Sequence, residues 1–170
     1  MIPKLIITDI DGVWTDGGMY YDETGNEFKK FNTTDSAGVI FCKKANIPVA
    51  IITGENTKLV QRRANKLNVD FLYMGVKDKL QCATNICDTL RITLGDVAYI
   101  GDDIGDIKLL LNVGLSACPS NAPEYIKKIC HWNLPVKGGD GVFRLFVEQI
   151  LINCNLLPAI LKEMGIDYKK

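Results

Sequence analysis

The chain switches repeatedly between short apolar runs and longer stretches whose apolar residues recur at helical spacing. Leu5 to Thr8, Val49 to Ile52 and Val97 to Ile100 are compact apolar runs, too short to be helices. Phe71-Leu72-Tyr73 and Leu115 to Cys118 are weaker runs of the same kind. Runs that are apolar on both faces suit a parallel sheet covered on two sides. Between them, Val60, Ala64 and Leu67 share one helical face, as do Leu80, Ala83, Cys87 and Leu90. Ile104, Ile107 and Leu111 form a third stripe, and Phe143, Phe146, Val147, Ile150 and Leu151 a fourth. This alternation predicts a doubly wound α/β sheet with right-handed crossovers.

One stretch breaks the alternation. Gly17 to Phe31 holds two β-prone segments around a glycine-containing loop, Asp22 to Asn26. That pattern predicts a hairpin, inserted directly after the first strand, where such a fold normally begins a helix. Its aromatics Tyr20, Tyr21 and Phe28 are expected to be exposed and to seek a partner. Past Asn153, the apolar residues Leu156, Leu157, Ile160 and Leu161 leave open whether the C-terminal tail, 153–170, packs on its own chain or on a neighbour.

Composition narrows the picture. The 170 residues fit one domain, for which about 100–200 residues is usual. Twenty basic and twenty acidic residues cancel, so no charge excess drives binding to nucleic acid. No apolar run reaches the roughly 18 residues of a spanning helix, and the N-terminus lacks a signal-peptide pattern. Six cysteines without a Cys-x-x-Cys pair read as free thiols. Together these predict a cytoplasmic protein without nucleic-acid or membrane partners. His131, the single histidine, has no clustered partner and receives no role.

Candidate chemistry lies at the strand ends. The first apolar run leads into Asp9-Ile10-Asp11-Gly12, the second into Thr53-Gly54-Glu55, and a later one into Gly101-Asp102-Asp103. A parallel sheet gathers such ends on one edge, so Asp9, Asp11 and Asp102 are expected to converge. Two carboxylates about 4 Å apart repel by roughly 4 kcal/mol at an effective dielectric of about 20, and three demand a counter-ion. Oxygen-only ligands suit Mg²⁺ completed by water and a substrate phosphate. Thr53 and Lys79 fit the phosphate itself. Asp9 is then the candidate nucleophile, forming an aspartyl phosphate. Asp11 would protonate the leaving oxygen and later deprotonate the attacking water. Taken singly, Thr53 or Asp102-Asp103 could serve only as helix caps; the ordered set of acid pair, threonine, lysine and acid cluster gives them a joint function.

These motifs, Asp9-Ile-Asp11-Gly-Val-Trp-Thr-Asp16-Gly, Ile-Thr53-Gly, Lys79 and Gly-Asp102-Asp103-Ile-Gly-Asp106, resemble those of the haloacid dehalogenase superfamily of phosphatases. With a hairpin flap over residues 17–31 and no separate cap domain, the chain is similar to the capless subclass acting on phosphates of 3-deoxy-2-keto sugar acids. Phe31-Asn-Thr-Thr-Asp-Ser-Ala37 and Lys137-Gly-Gly-Asp-Gly-Val-Phe-Arg144 carry that narrower likeness. The resemblance implies a Rossmann-like core and a homotetramer in which a neighbouring subunit helps complete each site, Lys137 to Arg144 reaching toward the neighbour. It implies that Asp9, the main-chain carbonyl of Asp11, and Asp102 hold Mg²⁺, with Asp103 and Asp106 in support. Thr53 and Lys79 would bind the transferring phosphoryl group. Thr33, Thr34, Asp35, Ser36 and Ala37, with Gly54, Glu55, Arg63, Lys66 and Gly75, would meet the substrate.

Glu55 after the Thr-Gly pair, together with Lys66, is similar to the branch acting on nine-carbon acids. The expected substrate is therefore KDN 9-phosphate or an N-acylneuraminate 9-phosphate, with 3-deoxy-D-manno-octulosonate (KDO) 8-phosphate as the alternative. Gly105 stands where that branch often has Asn. A signalling receiver would carry its phospho-accepting acid on the third strand, unlike Asp9. A non-catalytic oligomerisation module linked to sugar-nucleotide synthesis would not need Asp9, Asp11, Lys79 and Asp102 together.

Overall fold

A computed structural model describes residues 2–167. Its main sheet contains β1 (Leu5–Thr8), β4 (Val49–Ile52), β5 (Phe71–Tyr73), β6 (Val97–Ile100), β7 (Leu115–Cys118) and β8 (Trp132–Asn133). Their spatial order is β5-β4-β1-β6-β7-β8, and every pairing is parallel. The chain builds outward from β1 through β4 to β5, then returns to the other side of β1 at β6. The carboxyl ends of β1 and β6 therefore flank the switch point where ligands of open α/β sheets bind. Thr8 pairs with Ile100, which brings the residues following both strands side by side.

Alternate strand residues feed two separate cores. Ile6, Val49, Ile51, Ala98 and Ile100 pack on one face with α1 (Asp35–Lys44), α2 (Lys58–Leu67), α6 (Val142–Asn153) and α7 (Leu157–Glu163). Leu5, Ile7, Ala50, Ile52, Val97 and Tyr99 pack on the other with α3 (Lys79–Leu90), α4 (Ile107–Leu110) and α5 (Glu124–Lys127). Helices on both faces make the sheet apolar throughout, as the strand runs predicted. Cys42, Cys82, Cys87, Cys118 and Cys130 are free thiols. Leu157 and Ile160 of the tail are buried against the first core, so this part packs on its own chain. Residues 168–170 of the expected tail lie outside the described residues.

The predicted hairpin is present as β2 (Tyr20–Tyr21) and β3 (Glu27–Phe28), paired antiparallel. The stripe expected at Ile104, Ile107 and Leu111 is not the buried one. Asp103 and Asp106 form a capping box that winds Ile104–Asp106 as a 3₁₀ turn, and the tighter turn slips the helical phase. Leu109 and Leu110 go inward instead, leaving Ile104 and Leu111 exposed. Among the described residues, no single helix is long and apolar enough to cross a membrane.

Candidate active site

Asp9 leaves β1 with its amide donating to the Ile100 carbonyl at 3.0 Å. Its neighbour Thr8 is locked from below: the Trp14 indole donates to the Thr8 hydroxyl at 2.9 Å, and that hydroxyl donates to the Asp9 carbonyl. Trp14 is itself fully buried and stacks on Phe143 at 4.8 Å. The backbone then turns at Gly12, where φ is +80°. A Cβ there would collide with the Asp102 carboxylate, so glycine is what lets the two loops close on each other. Gly138 and Gly139 press equally closely on the backbone of Gly12, Thr15 and Asp16, and the Gly139 amide donates to the Val13 carbonyl at 2.9 Å. The Lys137–Arg144 segment thus buttresses the acid loop of its own chain.

Lys79 opens α3, capped by Asp78, whose carboxylate accepts the Gln81 amide at 3.1 Å. The buried Lys79 ammonium lies 2.9 Å from Asp9 Oδ2 and 2.5 Å from Asp106 Oδ1. Asp106 also accepts the Tyr99 hydroxyl at 2.5 Å and the Asp102 and Asp103 amides at 2.8 and 3.1 Å. Those donors occupy both of its oxygens, so Asp106 serves as the fixed hub beneath the site. Asp103 accepts the Ile104 amide at 2.7 Å and stays exposed.

Carboxylate oxygens of Asp9, Asp102 and Asp106 lie within 4.8 Å of one another, with Lys79 the cation among them. Burial, then the charge of Asp106, push Asp9 up to about 7. Burial, then Asp9, Asp106 and Asp103, push Asp102 up to about 8. Burial alone would lower Lys79, but Asp9 and Asp106 carry it above its ordinary value. Asp9 Oδ1, Asp11 Oδ2 and Asp102 Oδ1 are buried without a hydrogen-bond partner. Unpaired carboxylate oxygens at a surplus of negative charge, in a cluster that among the described residues holds aspartates and neither Cys nor His, fit a hard divalent cation such as Mg²⁺.

The acids line a cavity of about 340 Å³ together with Gly12, Gly17, Thr53, Gly54, Glu55, Val76, Lys77, Lys79 and Gly105. The cavity thus gathers Asp9, Asp11, Thr53, Gly54, Glu55, Lys79, Asp102, Asp103 and Asp106 from the expected set. It does not gather Thr33, Thr34, Asp35, Ser36, Ala37, Arg63, Lys66 or Gly75. Asp35 is fully buried and accepts the Arg144 amide at 3.1 Å, capping α6; burial pushes it up to about 6. Arg63 donates to the Asn32 carbonyl at 3.0 Å, with its guanidinium 5.9 Å from both the Trp14 and Phe31 ring centres. It braces the base of the hairpin. Thr33 and Thr34 are exposed where the chain enters α1, and Lys66 is exposed on α2. Gly75 makes the turn after β5 at φ +69°, its amide donating to the Glu55 carbonyl.

Sequence reasoning missed Lys77 on the cavity wall and Lys29, whose ammonium lies 2.6 Å from Asp11 Oδ1. Neither lysine has a sequence signal that separates it from a solvated one. Tyr99 was legible only as a strand residue, although its hydroxyl supports Asp106.

Fold and edge together define a metal-dependent phosphoric monoester hydrolase. A family model for haloacid dehalogenase-like hydrolases matches residues 75–146. The 3-deoxy-D-manno-octulosonate 8-phosphate phosphatase of Yersinia pestis is 39% identical over 149 residues, covering 88% of this chain and 80% of that protein. The phosphatase of the same name from Haemophilus influenzae is 33% identical, covering 87% and 82%. Among solved structures, the Moraxella catarrhalis octulosonate 8-phosphate phosphatase, in complex with magnesium, phosphate and KDO, superposes with a TM-score of 0.91 at 33% identity, covering 95% of this chain and 93% of that one. The chain belongs to the haloacid dehalogenase-like hydrolases, and it is a phosphoric monoester hydrolase whose acidic cluster fits Mg²⁺.

Proposed function

We propose that the enzyme hydrolyses 3-deoxy-D-manno-octulosonate 8-phosphate through an aspartyl phosphate on Asp9. The observation that carries the chemistry is the convergence of Asp9, Asp102 and Lys79 at the sheet's switch point with carboxylate oxygens left unpaired. The eight-carbon substrate is supported by the names of relatives that match most of the chain. Asp9 attacks phosphorus as the bond to the sugar oxygen breaks, and Asp11 gives that oxygen its proton. Water then attacks the aspartyl phosphate, Asp11 takes the water's proton, and the bond from phosphorus to Asp9 breaks to release phosphate. Thr53 and Lys79 hold the phosphoryl oxygens. Asp9, Asp102 and the Asp11 main-chain carbonyl would hold Mg²⁺, which would supply positive charge against the phosphoryl group.

A nine-carbon acid 9-phosphate, KDN or an N-acylneuraminate, is the second reading. Glu55 favours it, since this residue borders the cavity and a carboxylate can accept hydrogen bonds from the hydroxyls of a longer sugar. Thr33, Thr34, Ser36, Ala37, Arg63, Lys66 and Gly75 enter this proposal only through a substrate that extends beyond the cavity or through a neighbouring subunit. The exposed hairpin supports a homotetramer, and the free thiols of Cys42, Cys82, Cys87, Cys118 and Cys130 support a cytoplasmic setting.

Phosphate release from KDO 8-phosphate, KDN 9-phosphate and N-acetylneuraminate 9-phosphate, measured with Mg²⁺, tests the substrate. The highest kcat/KM is expected on the eight-carbon ester, and a preference for a nine-carbon ester reverses the assignment. Asp9→Asn should lower turnover on every ester by at least about 10³-fold while leaving the fold intact, because an amide does not form the acyl phosphate. Substantial turnover by that variant excludes the covalent route.

A further inference from the structure

The hairpin sends one side chain into the site. Lys29 follows β3 directly, yet its side chain is only 3% exposed, whereas that of the next residue, Lys30, is 61% exposed. The Lys29 ammonium lies 2.6 Å from Asp11 Oδ1. The Thr15 hydroxyl donates to the same oxygen at 3.2 Å, while Asp11 Oδ2 is buried with no donor. Lys29 does no work for the hairpin's own loop. That loop is knit by Asp22, whose carboxylate takes Thr24 and Asn26 at 2.7–2.9 Å. Burying an ammonium is costly unless it is paired, and its partner here belongs to the chemistry rather than to the flap.

We propose that Lys29 is a positioning residue for Asp11. Together with Thr15 it fixes Oδ1, so that Oδ2 is the oxygen that gives up and takes back the proton. This deepens the reading of Asp11 as the acid–base group and rests on it. An oxygen held by two donors cannot rotate away from the leaving group, and the geometry of proton transfer is then set before substrate arrives. Lys29 touches neither phosphorus nor the leaving oxygen in this scheme; it acts through Asp11.

The test compares two esters. A sugar 8-phosphate leaves as a poor alkoxide that needs a proton, whereas p-nitrophenyl phosphate leaves as a phenolate that needs none. The quantity read is kcat/KM, which covers the steps up to ester cleavage. Acid–base catalysis contributes roughly 10²–10⁴-fold. Lys29→Met should therefore raise the ratio of aryl to alkyl kcat/KM about tenfold or more, with the alkyl loss mainly in kcat. Lys29→Arg should restore most of the wild-type ratio. A merely structural role would lower both esters alike, and an unchanged ratio overturns the proposal. Lys29→Gln carries the same comparison should Lys29→Met fold poorly. Asp11→Asn runs alongside. If it alters the ratio and Lys29→Met does not, the positioning role falls by itself; if neither does, the acid–base reading of Asp11 falls with it.

Discussion

Asp9 and Asp102 are held where a carboxylate is least comfortable without a cation. Their ordinary value is 3.8, but in the folded chain burial and neighbouring acids push them up to about 7 and about 8. Well below 3.8 both states are protonated and neither group affects stability. As pH rises toward those folded values, the unfolded chain gives up protons that the folded chain keeps, and metal-free stability falls; above them the loss levels off. Mg²⁺ binds the ionised pair and should reverse the penalty. The melting temperature of metal-free protein should therefore drop between about pH 5 and about pH 8. Mg²⁺ at about 100 times its dissociation constant stabilises by about 2.7 kcal/mol, a rise of roughly 5–11 °C for a chain of this size. At one fixed Mg²⁺ concentration, that rise should be larger at the higher pH, where the ionised acids bind the ion more tightly. Thermal unfolding with and without Mg²⁺ at both pH values checks this, and an equal rise at both would separate these acids from the metal.

At the scale of elements, the sequence carries the strands better than the helices that surround them. β1, β4 and β6 are uninterrupted apolar runs leading into acids or threonine, so both the sheet edge and the convergence of Asp9, Thr53 and Asp102 on it were legible. α1 was not. Its ten residues, DSAGVIFCKK, include Gly38 and the β-branched Val39 and Ile40, which are poor helix formers in isolation. Tertiary packing makes this helix: a Cβ at Gly38 would crowd the Phe143 ring, so glycine admits α6 at close range. The same packing turns Asp35 away from solvent and onto the first turn of α6, where an anion also complements the helix dipole. A motif read as substrate-facing is therefore, at Asp35, a cap contributed by one helix to another. Asp35→Ala should cost about 1–2 kcal/mol and lower the melting temperature by roughly 2–8 °C, with little change in KM. A marked rise in KM at unchanged melting temperature would return Asp35 to the substrate. Lys29 was illegible for a different reason. Its partner lies 18 positions back in the chain, and only the docked hairpin joins them.

For the molecule as a whole, the hairpin is the part that a single chain leaves unfinished. Isolated two-stranded ribbons are marginal in water, yet this one presents Met19, Tyr20, Tyr21 and Phe28 at 58%, 42%, 64% and 55% exposure. Tyr20 and Phe28 pair across the two strands on one face; exposed apolar side chains of that kind are normally covered, and a homotetramer would cover them. Tyr21→Lys combined with Phe28→Lys adds like charges on neighbouring strands and should shift the sedimenting species to lower mass. An unchanged mass, or a wild-type monomer, removes the hairpin from any interface. If Lys29 positions Asp11, the same variant should also raise the aryl-to-alkyl ratio of kcat/KM, because releasing the flap releases the ammonium that holds Oδ1. Diluting the wild-type protein until it dissociates should then move the ratio in the same direction without any substitution. Assembly would thus set the geometry of proton transfer through one lysine, and a ratio that stays constant while the mass falls would show that the flap docks on its own chain without help.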